Sequence, residues 1–327
     1  MVKVKPRCNL ARTSAFILLI ASLSASIFTG CGKDVSQQNS LKQDGITAMG
    51  KGKYEEAVKD FDQALFLAGS KITEDEIDIC YYKAASQYLG GKTKDALKTY
   101  SNLIRYDKKN GDAYYLRGAL YFKTGETKKA ITDFKDAVAT NQKDYDRYFH
   151  IYNILNNAGQ TEEAGKFLNL LLDTDTKSGE AYQAKGKALE IRKDYDNALK
   201  DYDLAVGKGL EEARLDMARI YALNKETKKA EKELSTYQKN AKPSGKSYNT
   251  IGEFQFNQGN YKDALKSFQK GLELKDVSNK QELLKNEIAA LERTGDFAKA
   301  KKNCQSYIEE YPYDQEMQDE YLFLKTR

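Results

Sequence analysis

From about residue 41 onward the chain keeps returning to one arrangement of apolar and polar positions. It reads GKYEEAVKDF at 52–61, GKTKDALKTY at 91–100, GETKKAITDF at 125–134 and GQTEEAGKFL at 159–168. KDYDNALKDY at 193–202, KETKKAEKEL at 225–234, GNYKDALKSF at 259–268 and GDFAKAKKNC at 295–304 complete the series. The alanines fall at 57, 96, 130, 164, 198, 230, 264 and 300, with steps of 39, 34, 34, 34, 32, 34 and 36. Each is followed four positions later by Phe, Tyr, Leu or Cys, a spacing that puts both on one face of a helix. Twelve positions before each alanine lie Gly45, Ala84, Gly118, Tyr152, Gly186, Ala218, Gly252 and Ile288, mostly small residues. Four further back lie Leu41, Cys80, Tyr114, Tyr148, Tyr182, Arg214, Tyr248 and Leu284. The pattern predicts two helices per copy, crossing closely at the small residues and joined by a turn. Gly91, Gly125, Gly159, Gly259 and Gly295 open those turns, where positive φ costs glycine little.

A step of 34 residues with Ala-x3-aromatic in its second half resembles the tetratricopeptide repeat. The resemblance covers 41–312 and departs from the family in two ways. The chain has no Trp and uses Tyr at the family's Trp position in four copies, and the Pro that ends a repeat occurs only at Pro312. The resemblance implies an all-α fold: a right-handed superhelical solenoid of about eight helix-turn-helix repeats, with residues 313–327 as a capping helix. Thr93, Thr127, Thr161 and Thr227 are expected to cap the second helices with their hydroxyls. Cys80 and Cys304 take slots that other copies fill with Tyr or Phe, so both are expected to pack rather than react. The extra residues at Ala68–Glu76 predict a longer connection after the first copy.

The N-terminus has a different character. MVKVKPRCNLART carries four bases and no acid, and is followed by an apolar run from Ala15 to Phe28. Fourteen helical residues span about 21 Å, short of the roughly 30 Å a bilayer core requires. A basic start and a short apolar middle predict a cleaved leader over 1–30. Thr29-Gly30-Cys31 resembles the lipobox of bacterial lipoproteins, with Phe28 where Leu is usual. That resemblance implies cleavage before Cys31, lipid on its sulfur, and a place on the extracytoplasmic face of the bacterial cell membrane. Residues 31–40 are polar and are expected to form a flexible tether. The whole chain carries 53 bases against 48 acids; without 1–30 it carries 49 against 48. A near-neutral mature chain gives no electrostatic ground for nucleic-acid binding.

Little in the chain points to chemistry. LGGKT at 89–93 resembles the end of a phosphate-binding loop, but Ser86 stands where that loop needs its first Gly, and the segment is a predicted turn between helices. His150 is the one histidine, too few for a His-based metal site or a Ser-His-Asp set. No enzyme activity and no cofactor are expected. The resemblance places the working surface on the concave side, lined by the first helix of each copy. Projection puts Tyr81, Tyr88, Tyr115, Phe122, Phe149, Asn153 and Asn156 there, either as a partner-binding groove or, for some rings, as packing between helices. Asp78, Asp112, Asp146, Glu180 and Glu212 recur along one edge, either as an acidic ladder facing a basic ligand or, the favoured reading, as first-turn acids that suit the helix dipole. The Lys–Asn pair of the chaperone-tail clamp is missing, since Ile46 follows Lys42 and Ala289 follows Lys285. The expectation is a membrane-tethered scaffold for a protein or peptide partner in the envelope. The alternative is a glycan-binding lipoprotein using an aromatic groove.

Overall fold

The turn inside each copy is built by the backbone. At Gly125, φ is +85°; its N–H donates to the carbonyl of Phe122, and the next N–H, of Glu126, reaches back to Tyr121. Those bonds satisfy the last carbonyls of one helix while turning the chain into the next. Two copies do the same with lysine: Lys193 and Lys225 sit at φ +62° and +61°, a region that costs an L-residue about 1–2 kcal/mol.

The computed structural model describes residues 33–69, 72–175, 177–275 and 277–327. Among these, seventeen helices run in order and no strand occurs. They are α1 Lys33–Gly50, α2 Tyr54–Ala68, α3 Glu74–Leu89, α4 Thr93–Tyr106, α5 Gly111–Lys123, α6 Thr127–Thr140, α7 Tyr145–Asn157 and α8 Thr161–Leu172. Then come α9 Gly179–Ile191, α10 Tyr195–Gly207, α11 Ala213–Leu223, α12 Thr227–Asn240, α13 Gly245–Asn257, α14 Tyr261–Leu272, α15 Lys280–Thr294, α16 Phe297–Glu310 and α17 Gln315–Leu324. The chain divides into two compact units, the first ending at Phe167 and the second beginning at Leu168. Odd-numbered helices from α1 to α15 supply the position twelve before the alanine, small in most copies, and even-numbered ones the Ala and the Phe, Tyr, Leu or Cys four residues on.

Packing inside a copy depends on matched sizes. A Cβ added at Gly118 would lie 2.9 Å from the ring of Phe134, and one at Gly186 would lie 2.6 Å from Tyr202. Gly45 stands in the same relation to Phe61, and Gly252 to Phe268. Where the small residue is lost, the ring is lost with it. Ile288 and Cys304, fully buried in one core, reverse the sizes of the pair. In the first unit, Phe61 stacks on Tyr82 with centroids 5.9 Å apart, and Phe134 meets Phe167 edge-on at 6.3 Å. In the second, Tyr202, Met217 and Ile220 form one core, and Leu234, Tyr237 and Ile251 another. The last core, around Ile288 and Tyr307, is closed by Met317 and Leu324 of α17.

Two expectations fail. Residues 33–40 are not a tether but the first turns of α1. The buried Gln38 amide donates to Glu76 Oε1 at 2.6 Å, so a polar contact, invisible to apolar periodicity, fixes this segment to α3. The threonine caps are also wrong by one position. Thr93, Thr127 and Thr227 are already the first helical residues, and the capping positions are Lys92, Glu126 and Glu226, none of which bonds through its side chain. In the copies with Asp at that position, Asp194 and Asp296, the carboxylate does accept a backbone N–H. Cys304 is buried and its Sγ donates to the Met317 carbonyl, while Cys80 is half-buried. Burial pushes both thiols above their ordinary value, Cys304 to about 11. No helix among the described residues is long and apolar enough to cross a membrane. The run at 15–28 and Cys31 lie outside them.

Candidate interaction surface

Residues 81, 115 and 149 hold one position of the first helix in successive copies, and 88, 122 and 156 hold another, each 34 residues apart. Helices α3, α5 and α7 therefore present these positions as rows. The structure treats the rows differently. Tyr81 is 5% exposed and Tyr115 is 6%. The Tyr81 hydroxyl donates to Asn110 Oδ1 at 2.6 Å, the same oxygen that accepts the N–H of Ala113 to cap α5. Its ring lies 6.5 Å from Tyr100. Tyr115 packs 6.0 Å from Phe134 and 6.5 Å from the exposed His150. Burial raises both phenols, Tyr115 to about 12. Both rings are packing between copies, so Tyr81 and Tyr115 are withdrawn from the groove. Projection onto a helix gives a direction, and the neighbouring helix decides how much of that direction it covers.

The rest of the set stays accessible. Tyr88, Phe122, Phe149 and Asn156 are half-buried and Asn153 is exposed. Lys123 Nζ stands 5.4 Å above the Tyr88 ring. Half-buried rings beside an exposed amide suit contact with an extended backbone, because the rings supply area and the amide both donates and accepts.

Of the recurring acids, the first two are paired within the array, while Asp146, Glu180 and Glu212 are exposed. Asp78 meets Lys42 at 2.6 Å, and Asp112 meets Arg147 Nη2 at 2.6 Å. Asp146 is exposed in the first turn of α7. Bonds from its own backbone N–H and from Ser178 hold the Glu180 carboxyl below its ordinary value. Glu212 occupies the capping position of α11. Lys42 and Lys285 have work of their own, since Lys285 meets Asp314 at 3.0 Å and Glu316 at 2.7 Å.

Two arginines carry structural work that the repeat pattern did not single out. Arg147 bonds Asp112, Asp144 and the Ala137 carbonyl, joining α5, α6 and α7. Gly111 makes room for it: a Cβ there would collide with the guanidinium. Arg117 grips both Asp133 oxygens at 2.8 Å and reaches Ser101 at 3.0 Å. The signal available in sequence was an Arg set among Tyr and Phe inside first helices.

In the second unit, the equivalent positions are more polar, although Leu215, Ala222 and the half-buried Phe256 fall among them. Arg219 pairs with Asp216 at 2.6 Å and with Glu190, which also accepts from the Tyr202 hydroxyl at 2.9 Å. Gln183 donates to Asp216 at 2.7 Å. Asn286 donates to Asn249 at 2.8 Å, and Asn249 to Glu253 at 3.1 Å. Burial, followed by Glu282, holds the Glu253 carboxyl above its ordinary value. Among the described residues, no group of three or more His, Cys, Asp or Glu side chains is placed to hold a metal ion.

Family profiles agree with this architecture. The one described as "TPR repeat" matches residues 84–125, and the one described as "Tetratricopeptide repeat" matches 111–144 and 245–277. The chain carries tetratricopeptide repeats. Solved structures similar to it include a tetratricopeptide repeat protein from Parabacteroides merdae, 18% identical, covering 77% of this chain and 99% of that one, with a TM-score of 0.45. Another is the Cut9–Hcn1 hetero-tetramer of APC/C, 14% identical, covering 97% of this chain and 75% of that one, with a TM-score of 0.46. MamA is 21% identical over 52% of this chain and 96% of its own, with a TM-score of 0.32. No curated protein matches the chain at a significant level.

Proposed function

We propose that this chain is a lipid-anchored scaffold of the bacterial envelope that captures a protein or peptide partner on the first-helix face of its first unit. The observation that carries the capture reading is the set of rings that stay accessible, Tyr88, Phe122 and Phe149 half-buried beside the exposed Asn153. Repeat arrays use such faces as extended binding surfaces, and affinity concentrates in a few central aromatic anchors. The glycan alternative wants fully presented ring platforms, and with Tyr81 and Tyr115 buried it has lost two of its rings. The anchor rests on the leader and on Thr29-Gly30-Cys31.

Two measurements test the two halves. A photo-crosslinking residue at position 153 in intact cells should capture a defined envelope protein, and the capture should fade with Phe122→Ser. Capture that ignores Phe122→Ser overturns the groove. Mass spectrometry of the membrane-bound form should find residues 1–30 gone and Cys31 modified. An intact, unmodified N-terminus overturns the anchor.

A further inference from the structure

Away from that face, the first unit has a second apolar feature. A cavity of about 340 Å³ opens between α2, α3 and α4, with Leu65, Ala68, Ile72, Ile77, Leu103 and Tyr106 as its apolar lining. Its rim is bare: Ile72 is 47% exposed and Tyr106 56%. Phe66, next to the lining residue Leu65, is 84% exposed. Basic residues flank Tyr106, with Arg105, Lys108 and Lys109 all exposed. On the same turn Asp107 is tied up in accepting the backbone N–H of Lys109 at 2.8 Å. Glu74 and Asp75 are the exposed acids on the α3 side, and Asp75 lies 3.7 Å from Lys42.

We propose that this rim rests on a lipid surface with anionic headgroups, Phe66 and Ile72 entering the interface and the bases of the 105–109 turn lying over it. Apolar side chains beside Lys and Arg are the composition that binds anionic bilayers peripherally, and an aromatic such as Tyr106 suits the headgroup level. Chain length supplies the second reason. Gln38 bonds Glu76, another residue lining the cavity. Five helical residues back to Lys33 and two more to Cys31 span at most roughly 15 Å. This distance reasoning rests on the lipid anchor of the proposed function; the apolar and basic rim does not. An anchor at Cys31 therefore keeps the Gln38–Glu76 contact, at one wall of the cavity, within that reach of the bilayer.

The test removes the anchor. Residues 33–327 contain every buried core described above, so that piece is prepared without lipid and sedimented with phosphatidylcholine vesicles, with and without phosphatidylglycerol. It should partition onto the phosphatidylglycerol vesicles and weaken as salt rises. Phe66→Ser with Ile72→Ser should cut partitioning at least about tenfold. Lys108→Glu with Lys109→Glu should cut it by a similar factor on the anionic vesicles alone. Phe122→Ser should leave it unchanged. Absence of partitioning, or partitioning indifferent to both double variants, overturns the proposal. So does self-association of the piece that Phe66→Ser abolishes, which would make a second copy the occupant. Since the piece lacks Cys31, these results are independent of the mass-spectrometric test of the anchor.

Discussion

The first-helix faces of the two units occupy the same slots and use them for opposite ends. In the first unit, the slots at 88, 122 and 149 hold half-buried rings, and Asn153 is exposed beside them. In the second, the corresponding stretch holds Leu215, Ala222 and one half-buried ring, Phe256, among Gln183, Glu190, Arg219, Asn249 and Glu253, whose side chains bond to one another or to Asp216 and Asn286. A face whose polar groups are already satisfied gains little by exchanging those bonds for bonds to a partner. A face of half-covered rings still gains by burying the rest. The difference shows that a repeat position fixes where a side chain points, while its chemistry decides whether it serves the array or a ligand.

The contrast can be broken most forcefully through the core. Phe134→Ala empties a fully buried site and should cost about 3–5 kcal/mol. Hydrogen exchange should rise in α5, α6 and the neighbouring copies and stay flat in the second unit, because contacts along such arrays are local. A rise spread evenly over both units would erase the distinction between them. Next in size, Phe122→Ser should weaken partner capture by about 2 kcal/mol, roughly thirtyfold, with the melting temperature unchanged. Melting that falls in step with capture would make Phe122 as structural as Tyr115.

The mirror experiment is Arg219→Ala, which should lower stability by about 1 kcal/mol, since its ion pairs are partly solvated, and leave capture intact. Lost capture at constant stability would move the binding face into the second unit. The turns offer a smaller contrast: the first unit has glycine at 52, 91, 125 and 159, the second has glycine at 259 and 295 but lysine at 193 and 225. Lys193→Gly should raise stability by up to about 1 kcal/mol, read as a shift in denaturant midpoint.

The smallest effect expected depends on pH. Burial, then the neighbouring Glu320, raises the Glu292 carboxyl from 4.5 to about 7. The folded state thus holds this proton over a window where the unfolded chain has released it. Its stabilising contribution is complete below about pH 4.5 and is lost as pH rises through about 7. Glu292→Gln should flatten that part of the stability profile. A wild-type and variant difference constant from pH 4 to 8 would show that the carboxyl pair does not titrate there.

The repeat was legible because its determinants are local and periodic: the alanine, the ring four residues on, the small residue twelve before. Turn glycines followed from the same spacing. Tyr81 and Tyr115 were not legible as buried, because their cover is assembled from several elements: rings of the paired helix, Tyr100 and Phe134, a turn asparagine, Asn110, and His150 of the next copy. The start of α1 escaped for a related reason, since Gln38 is held by a carboxylate 38 residues away rather than by an apolar face. The one-residue error at Thr93 arose because a threonine one step inside a helix resembles a cap in sequence and differs from it only in backbone angles.

The matched sizes within each copy bear on how such a chain can change. Gly252 with Phe268 and Ile288 with Cys304 solve one volume problem in opposite ways. A recombination event that joined the first helix of one copy to the second helix of another would set Ile against Phe, or Gly against Cys. One product is overfilled and the other hollow. Exchange at the boundaries between copies carries both members of each such pair together, and only the contacts to the next copy, such as Tyr237 with Ile251, have to be matched again. The heritable module of this protein is therefore the helix pair, and crossovers that survive selection should cluster between copies rather than inside them.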